Sequence, residues 1–175
     1  MALQVTPLDN VGVEISGFDI TRPIEEALAA ELVTLWNEHG ILLFRGQDVN
    51  PQNQIAFSRI FGELAMHPLA ATTSQEYPEL FTLVNEPEQE KFMTARYNGR
   101  DMVNKLDWHM DLHYTGRPNR GALLRAVVCA SEDGLTGFGD LARAYDALDE
   151  ETRRFYELER LWKDAPRLNW ERSNH

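Results

Sequence analysis

A single cysteine, Cys129, leaves the sequence without an intrachain disulfide or a CxxC-type zinc site. Cys129 stands in the apolar run Ala126-Val127-Val128-Cys129-Ala130 and is predicted to be a small buried hydrophobe. Positive charge is also scarce. Lys and Arg total 17 against 28 Asp and Glu, a formal charge of −11. Such a surface repels phosphate backbones and anionic lipid, so nucleic acid and membrane are not expected partners. An anionic substrate would need a local cationic pocket within that negative field. No apolar stretch reaches the roughly 18 residues of a membrane-crossing helix. The opening residues, MALQVTPLDN, lack a basic segment followed by an apolar one. These absences predict a cytoplasmic protein. There are no repeats or low-complexity tracts. At 175 residues, 1–175 is predicted to form one domain.

What is present reads as mixed α and β. Val11 to Ile20 alternates loosely and predicts a short strand entering a turn. Pro23 suits a first helical turn, with Thr21 as its N-cap. Ile24, Ala27, Leu28, Leu32, Leu35 and Trp36 then recur at helical spacing, and Gly40 supplies a left-handed stop. Ile41 to Phe44 reads as a buried strand. Asn50-Pro51 is a second cap signal, and Ile55, Phe57, Ile60 and Phe61 predict a helix running up to Gly62. Leu80 to Val84 is strand-like. Residues 85–107 are polar and irregular, too long for a tight turn, and fit a lid or binding loop. Gly121 to Ala130 predicts a further strand. Helices are predicted over Leu141–Leu148 and from Glu150 to Lys163.

The segment that carries chemistry is Trp108-His109-Met110-Asp111. On an extended strand, residues i and i+2 point to the same side. His109 and Asp111 are therefore predicted to converge from one strand face onto one ion. One imidazole and one carboxylate are two parts of the facial triad of non-haem iron(II) oxygenases, whose open face takes a bidentate 2-oxo acid and dioxygen. H-x-D alone is a weak signal; its surroundings strengthen it.

The stretch from Trp108 to Leu148 resembles the core of the taurine/2,4-D dioxygenase (TauD/TfdA) family. Trp108, His109, Asp111, Tyr114, Pro118, the apolar Leu123 to Val128, Gly134, Thr136 and Ala144-Tyr145-Asp146-Ala147-Leu148 follow that pattern in order. Upstream, Gly12-Val13-Glu14-Ile15-Ser16-Gly17-Phe18-Asp19 resembles the family's opening. His39 to Gln47 resembles its H-G-V-L-x-F-R-x-Q segment, and Phe57 to Gly62 its F-x-x-x-F-G, followed by His67-Pro68. The resemblance covers residues 11–163. It implies an α+β fold built on a double-stranded β-helix, or jelly roll, with flanking helices. It implies Fe(II) with 2-oxoglutarate and O2 as cosubstrates. The reaction implied is oxidation, by default hydroxylation, of a small organic molecule, with decarboxylation of 2-oxoglutarate to succinate. By position it makes His109 and Asp111 metal ligands and Thr136 the hydroxyl on the 2-oxoglutarate carboxylate. His67, Asn104 and Lys105 fall where relatives touch substrate. His113 would share the strand face of the metal pair, and relatives carry no ligand there.

The family's third ligand is a histidine well downstream, followed by an arginine that clamps 2-oxoglutarate. The sequence reaches His175 before either, and His175 is not expected to ligate. The jelly roll is accordingly expected to be incomplete here, with a homo-oligomer or a partner chain completing the barrel. Two other readings stand beside the oxygenase. One is a truncated, non-catalytic homologue acting as a binding or assembly module. The other is a zinc hydrolase using His109, Asp111 and His113.

Overall fold

The computed structural model describes residues 3–66, 74–82, 94–97, 100–103, 108–112, 119–129, 131 and 135–163. Among the described residues, ten elements run along the chain in mixed order. Strands β1 (Gln4–Pro7) and β2 (Val13–Ser16) pair antiparallel, with Val5 opposite Ile15. Helix α1 (Glu26–His39) follows, and then the two-residue strand β3 (Leu42–Leu43), which pairs parallel to β2. The order β2–α1–β3 is a crossover that folds the helix back over the sheet. Helix α2 (Pro51–Ser58) continues as a 3-10 turn, Arg59–Phe61. A hairpin of β4 (Thr94–Tyr97) and β5 (Arg100–Val103) comes next, then helices α3 (Leu141–Asp146) and α4 (Glu150–Lys163).

The core forms where α1 and α2 cover the three-stranded sheet. Val13, Ile15, Ile20, Leu32, Val49 and Phe57 are its buried centre. Leu28 and Leu35 on α1 pack against it at the spacing that marks one helical face. Five aromatic rings are joined by tilted or edge-on contacts: Phe18, Phe44, Phe57, Phe61 and Trp36, with neighbouring centroids 5.3–5.6 Å apart. Gly12 lets β2 approach the start of β3. Its φ is +87°, and an added Cβ would lie 2.6 Å from Ile41 Cβ and 2.7 Å from the Ile41 carbonyl oxygen. The Val13 N–H donates to that carbonyl at 2.9 Å.

The motif residues of this half hold the fold together. Glu14 on β2 takes the Arg45 guanidinium at 3.2 Å. The Gln47 side chain accepts the Ile20 N–H at 3.0 Å and donates to the Phe18 carbonyl at 3.1 Å, tying the two loops that flank the sheet.

Several expectations need correction. Helix α1 begins at Glu26, and Thr21 does not cap it. The Thr21 hydroxyl donates instead to Asp19 Oδ1 at 2.6 Å, and Arg22 Nε meets Asp19 Oδ2 at 3.1 Å, so Asp19 organises a turn of its own. Asn50 does cap α2, accepting the Asn53 N–H at 2.8 Å. Strand β1 had no signal in the sequence reading. Of the run Leu80–Val84, only Phe81 makes a bridge, and residues 83 and 84 lie outside the described residues. The segment 85–107 contains the β4–β5 hairpin; the rest of it lies outside the described residues. Residues 121–129 form no strand, and Cys129 is exposed rather than buried. A strand needs a neighbour to take its N–H and C=O groups, and no described strand lies against this segment. Helix α3 stops at Asp146, short of Leu148, whereas α4 matches its expected span. No helix among the described residues is long and apolar enough to cross a membrane.

Candidate metal and cosubstrate site

His109 and Asp111 do come together, but from a turn and not from a strand. Trp108 is in a bend, and Asp111 and Leu112 form a turn. Leu112 has φ +55°, a left-handed conformation that an extended run cannot pass through. His109 Nε2 lies 3.3 Å from Asp111 Oδ1, with the two side chains 46% and 62% exposed.

That spacing fits a shared ion. Two donors each about 2.1 Å from an octahedral metal, at right angles, stand about 3 Å apart. A borderline imidazole nitrogen with a hard carboxylate oxygen is also a donor set suited to iron(II). The described residues contain no group of three or more His, Cys, Asp or Glu placed to hold a metal. His67, Asn104, Lys105, His113 and His175 lie outside the described residues.

Two anchored segments flank the pair. Residues 119–123 run from the core past Asp111. The Arg120 guanidinium lies over the Trp36 ring, 5.4 Å from its centroid, and donates to Asn37 Oδ1 at 2.8 Å. Gly121 passes so close to Trp36 that a Cβ would overlap the ring, and Leu123 packs on the core. A hollow of about 200 Å³ opens between this segment and the turn, lined by Met110, Asp111, Asn119, Gly121 and Ala122. Asn119 was not singled out from sequence, since nothing in its neighbours marks it. A larger depression, about 530 Å³, is lined by Arg59, Gly62, Glu63, Leu64, Met66 and Glu79. It includes neither the metal pair nor Thr136, and Arg59 there is bound to Glu79 at 3.2 Å. The smaller hollow is the one that adjoins chemistry.

The second segment carries Thr136, which is exposed. It leads into α3, where Asp140 accepts the Arg143 N–H at 3.0 Å as N-cap. Arg143 Nη1 donates to the Asn10 carbonyl at 2.8 Å, fastening α3 to the β1–β2 turn. Across this segment lies Trp108, whose ring would stand 2.8 Å from a Cβ at Gly137 and 3.7 Å from one at Gly139. The indole next to His109 therefore rests on the glycines that follow Thr136. Of the residues singled out by sequence, His109 and Asp111 meet directly, and Trp108 links their segment to the one bearing Thr136.

Comparison with known proteins identifies the family. The profile of the family described as "Taurine catabolism dioxygenase TauD, TfdA family" matches residues 4–174. The (S)-phenoxypropionate/alpha-ketoglutarate-dioxygenase of Sphingobium herbicidovorans is 31% identical over 153 residues, covering 87% of this chain and 50% of that protein. The alpha-ketoglutarate-dependent 2,4-dichlorophenoxyacetate dioxygenase of Cupriavidus pinatubonensis is 32% identical over 170 residues, covering 93% of this chain and 57% of that protein. The crystal structure of a taurine dioxygenase from Burkholderia xenovorans superposes with TM-score 0.58 at 23% identity, over 89% of this chain and 51% of that one. This last likeness shows the fold. The chain spans about half the length of the curated relatives it matches. With the profile matching nearly its whole length, the chain belongs to the TauD/TfdA dioxygenase family.

Proposed function

We propose that this chain contributes the metal- and cosubstrate-binding side of an iron(II)- and 2-oxoglutarate-dependent dioxygenase that oxidises, by default hydroxylates, a small organic acid. The observation that carries the reading is the 3.3 Å approach of His109 Nε2 to Asp111 Oδ1 on a turn whose Trp108 rests against the Thr136 segment. His109 and Asp111 would hold the metal, leaving adjacent positions for the cosubstrate. The Thr136 hydroxyl would donate to the distal carboxylate of 2-oxoglutarate, aiming its keto-acid end at the metal. Iron, when bound, supplies the chemistry that couples loss of carbon dioxide from 2-oxoglutarate to oxidation of substrate by dioxygen. The protein's own work is ligation, orientation and exclusion of water.

The relatives support this substrate class. Those compared above act on phenoxypropionate and 2,4-dichlorophenoxyacetate, and another, from Saccharomyces cerevisiae, is named for sulfonate. All are small anions. Against a formal charge of −11, such a substrate needs nearby cations, and Lys105, with Asn104 and His67, is the proposed source. The third protein ligand and the arginine on 2-oxoglutarate are proposed to come from a further segment or a partner chain that completes the jelly roll.

The test is succinate release by the complete enzyme with iron(II), ascorbate and 2-oxoglutarate, against phenoxyalkanoic acids, sulfonates and sulfate esters. Substrate-dependent succinate, with a visible charge-transfer band in anaerobic iron(II) plus 2-oxoglutarate, is the expected result. Neither band nor succinate, with hydrolysis in the presence of zinc, would replace this reading with a hydrolase.

A further inference from the structure

We infer that Trp108 is a positioning residue, whose indole seated on Gly137 sets the spacing between the His109–Asp111 pair and the Thr136 hydroxyl. This inference rests on the function proposed above. It starts from a glycine that its own backbone does not explain. The glycines with positive φ among the described residues are Gly12, Gly17, Gly40, Gly46 and Gly62; Gly137 is not one of them. What a side chain at Gly137 would meet is therefore the Trp108 ring rather than backbone strain. A Cβ there would meet Trp108 Cη2 at 2.8 Å, Cζ2 at 3.4 Å and Cζ3 at 3.5 Å. At Gly139 the ring edge would be 3.7 Å away, so the indole reaches both glycines of the Gly137-Phe138-Gly139 run.

Burial does not account for the contact, because Trp108 is 78% exposed. Its place in the chain does. Trp108 is joined to His109, and Gly137 to Thr136, each by one peptide bond. The segment bearing Thr136 is fastened through α3 by the Arg143–Asn10 bond. A ring resting against that segment sets how closely the segment approaches the metal ligand beside it. A two-carboxylate cosubstrate that must reach both metal and hydroxyl is sensitive to that spacing; metal held by His109 and Asp111 alone is not.

The test measures two affinities in the complete enzyme under anaerobic conditions: iron(II) by calorimetry, and 2-oxoglutarate by the charge-transfer band. Gly137→Ala adds one methyl under the ring. It is expected to weaken 2-oxoglutarate about tenfold while leaving iron(II) affinity within about twofold. Trp108→Phe removes the outer ring atoms that a Cβ would strike. The double variant is expected to bind 2-oxoglutarate within about threefold of Trp108→Phe alone, a non-additive rescue that a general loss of stability does not produce. Melting temperatures check that each variant folds; should Gly137→Ala not fold, Trp108→Phe must itself weaken 2-oxoglutarate without weakening iron(II). Unchanged 2-oxoglutarate affinity in Gly137→Ala, additive behaviour of the pair, or equal loss of both affinities would overturn the inference alone. Wild-type enzyme that binds neither iron(II) nor 2-oxoglutarate would overturn the proposed function and this inference with it.

Discussion

Truncating an exposed side chain leaves no cavity, and His109 and Asp111 are 46% and 62% exposed. His109→Ala and Asp111→Ala are therefore expected to change unfolding free energy by less than about 0.5 kcal/mol. Each should nonetheless abolish iron(II)-dependent succinate formation in the complete enzyme, because losing one of three ligands removes the open-face geometry. Denaturant melts and succinate by mass spectrometry check the two halves of this expectation; near-wild-type turnover in either variant would remove the ligand assignment. Gly12 shows the opposite balance. It needs both a positive φ and the absence of a Cβ against Ile41, so Gly12→Ala is expected to cost more than about 2 kcal/mol in a urea melt. At this scale the sequence exposed the His109–Asp111 pair, because both donors lie within one short motif. It did not expose the Trp108–Gly137 contact, which joins residues far apart along the chain and depends on a surface that exists only after folding. It also flagged Glu14, Arg45 and Gln47 only as motif positions, whereas the fold uses them to join β2, β3 and their loops.

Helices were legible because their signals are local. The apolar spacing of α1, the Asn50 cap of α2 and the span of α4 can each be read within a turn or two of chain. The Thr21 cap failed because Asp19, two residues earlier, captured its hydroxyl. Strands were harder, since pairing partners come from elsewhere: β1 was missed, and 121–129 had strand composition without a strand beside it. The strand expected at 108–111 is replaced by a bend at Trp108 and a turn at Asp111 and Leu112, and the pair still meets there. Capping also gives a pH dependence. Asp149 precedes α4 and accepts the Thr152 N–H at 2.7 Å and the Thr152 hydroxyl at 3.1 Å. The Thr152 backbone bond, then its hydroxyl, hold the Asp149 carboxyl below its ordinary value of 3.8. Asp19 is held low in the same way, chiefly by Thr21. A carboxyl depressed in the folded state stabilises above its unfolded pKa, and that contribution is lost as pH falls through the folded one. Melting temperature is thus expected to be insensitive to these two groups from pH 7 down to about 4, and to fall below that. Asp149→Asn should flatten the acid limb; an unchanged acid limb would show that the cap does not couple to unfolding.

Burial is divided unequally along the molecule. Among the described residues, the buried hydrophobic ones, Val13, Ile15, Ile20, Leu32, Val49, Ile55 and Phe57, all precede residue 60. Among the described residues from Trp108 to Glu157, none is buried. Large apolar side chains there face outward: Leu124 is 62% exposed, Val127 73%, Val128 88% and Leu135 96%. So many exposed large apolar side chains are a liability on a monomeric surface, and no described strand lies beside residues 121–129. The net charge of −11 opposes close approach of two copies, but its reach is only about 8 Å at physiological salt, whereas apolar burial acts at contact and is not screened. Contact burial should win. The 175-residue chain on its own is therefore expected to associate, giving a light-scattering mass above the monomer's 20.1 kDa, and to shift further toward the larger species as salt is raised. Replacing Val127 and Val128 with Lys should return it toward monomer without lowering the melting temperature, since neither side chain is packed in the core. A monodisperse 20.1 kDa species at both low and high salt would show that this face is covered from within the chain. The same preparation tests the site: with two protein donors on the described turn, iron(II) binding should be weak and succinate should stay at the metal-only background. Succinate well above that background would mean that residues outside the described set complete the coordination.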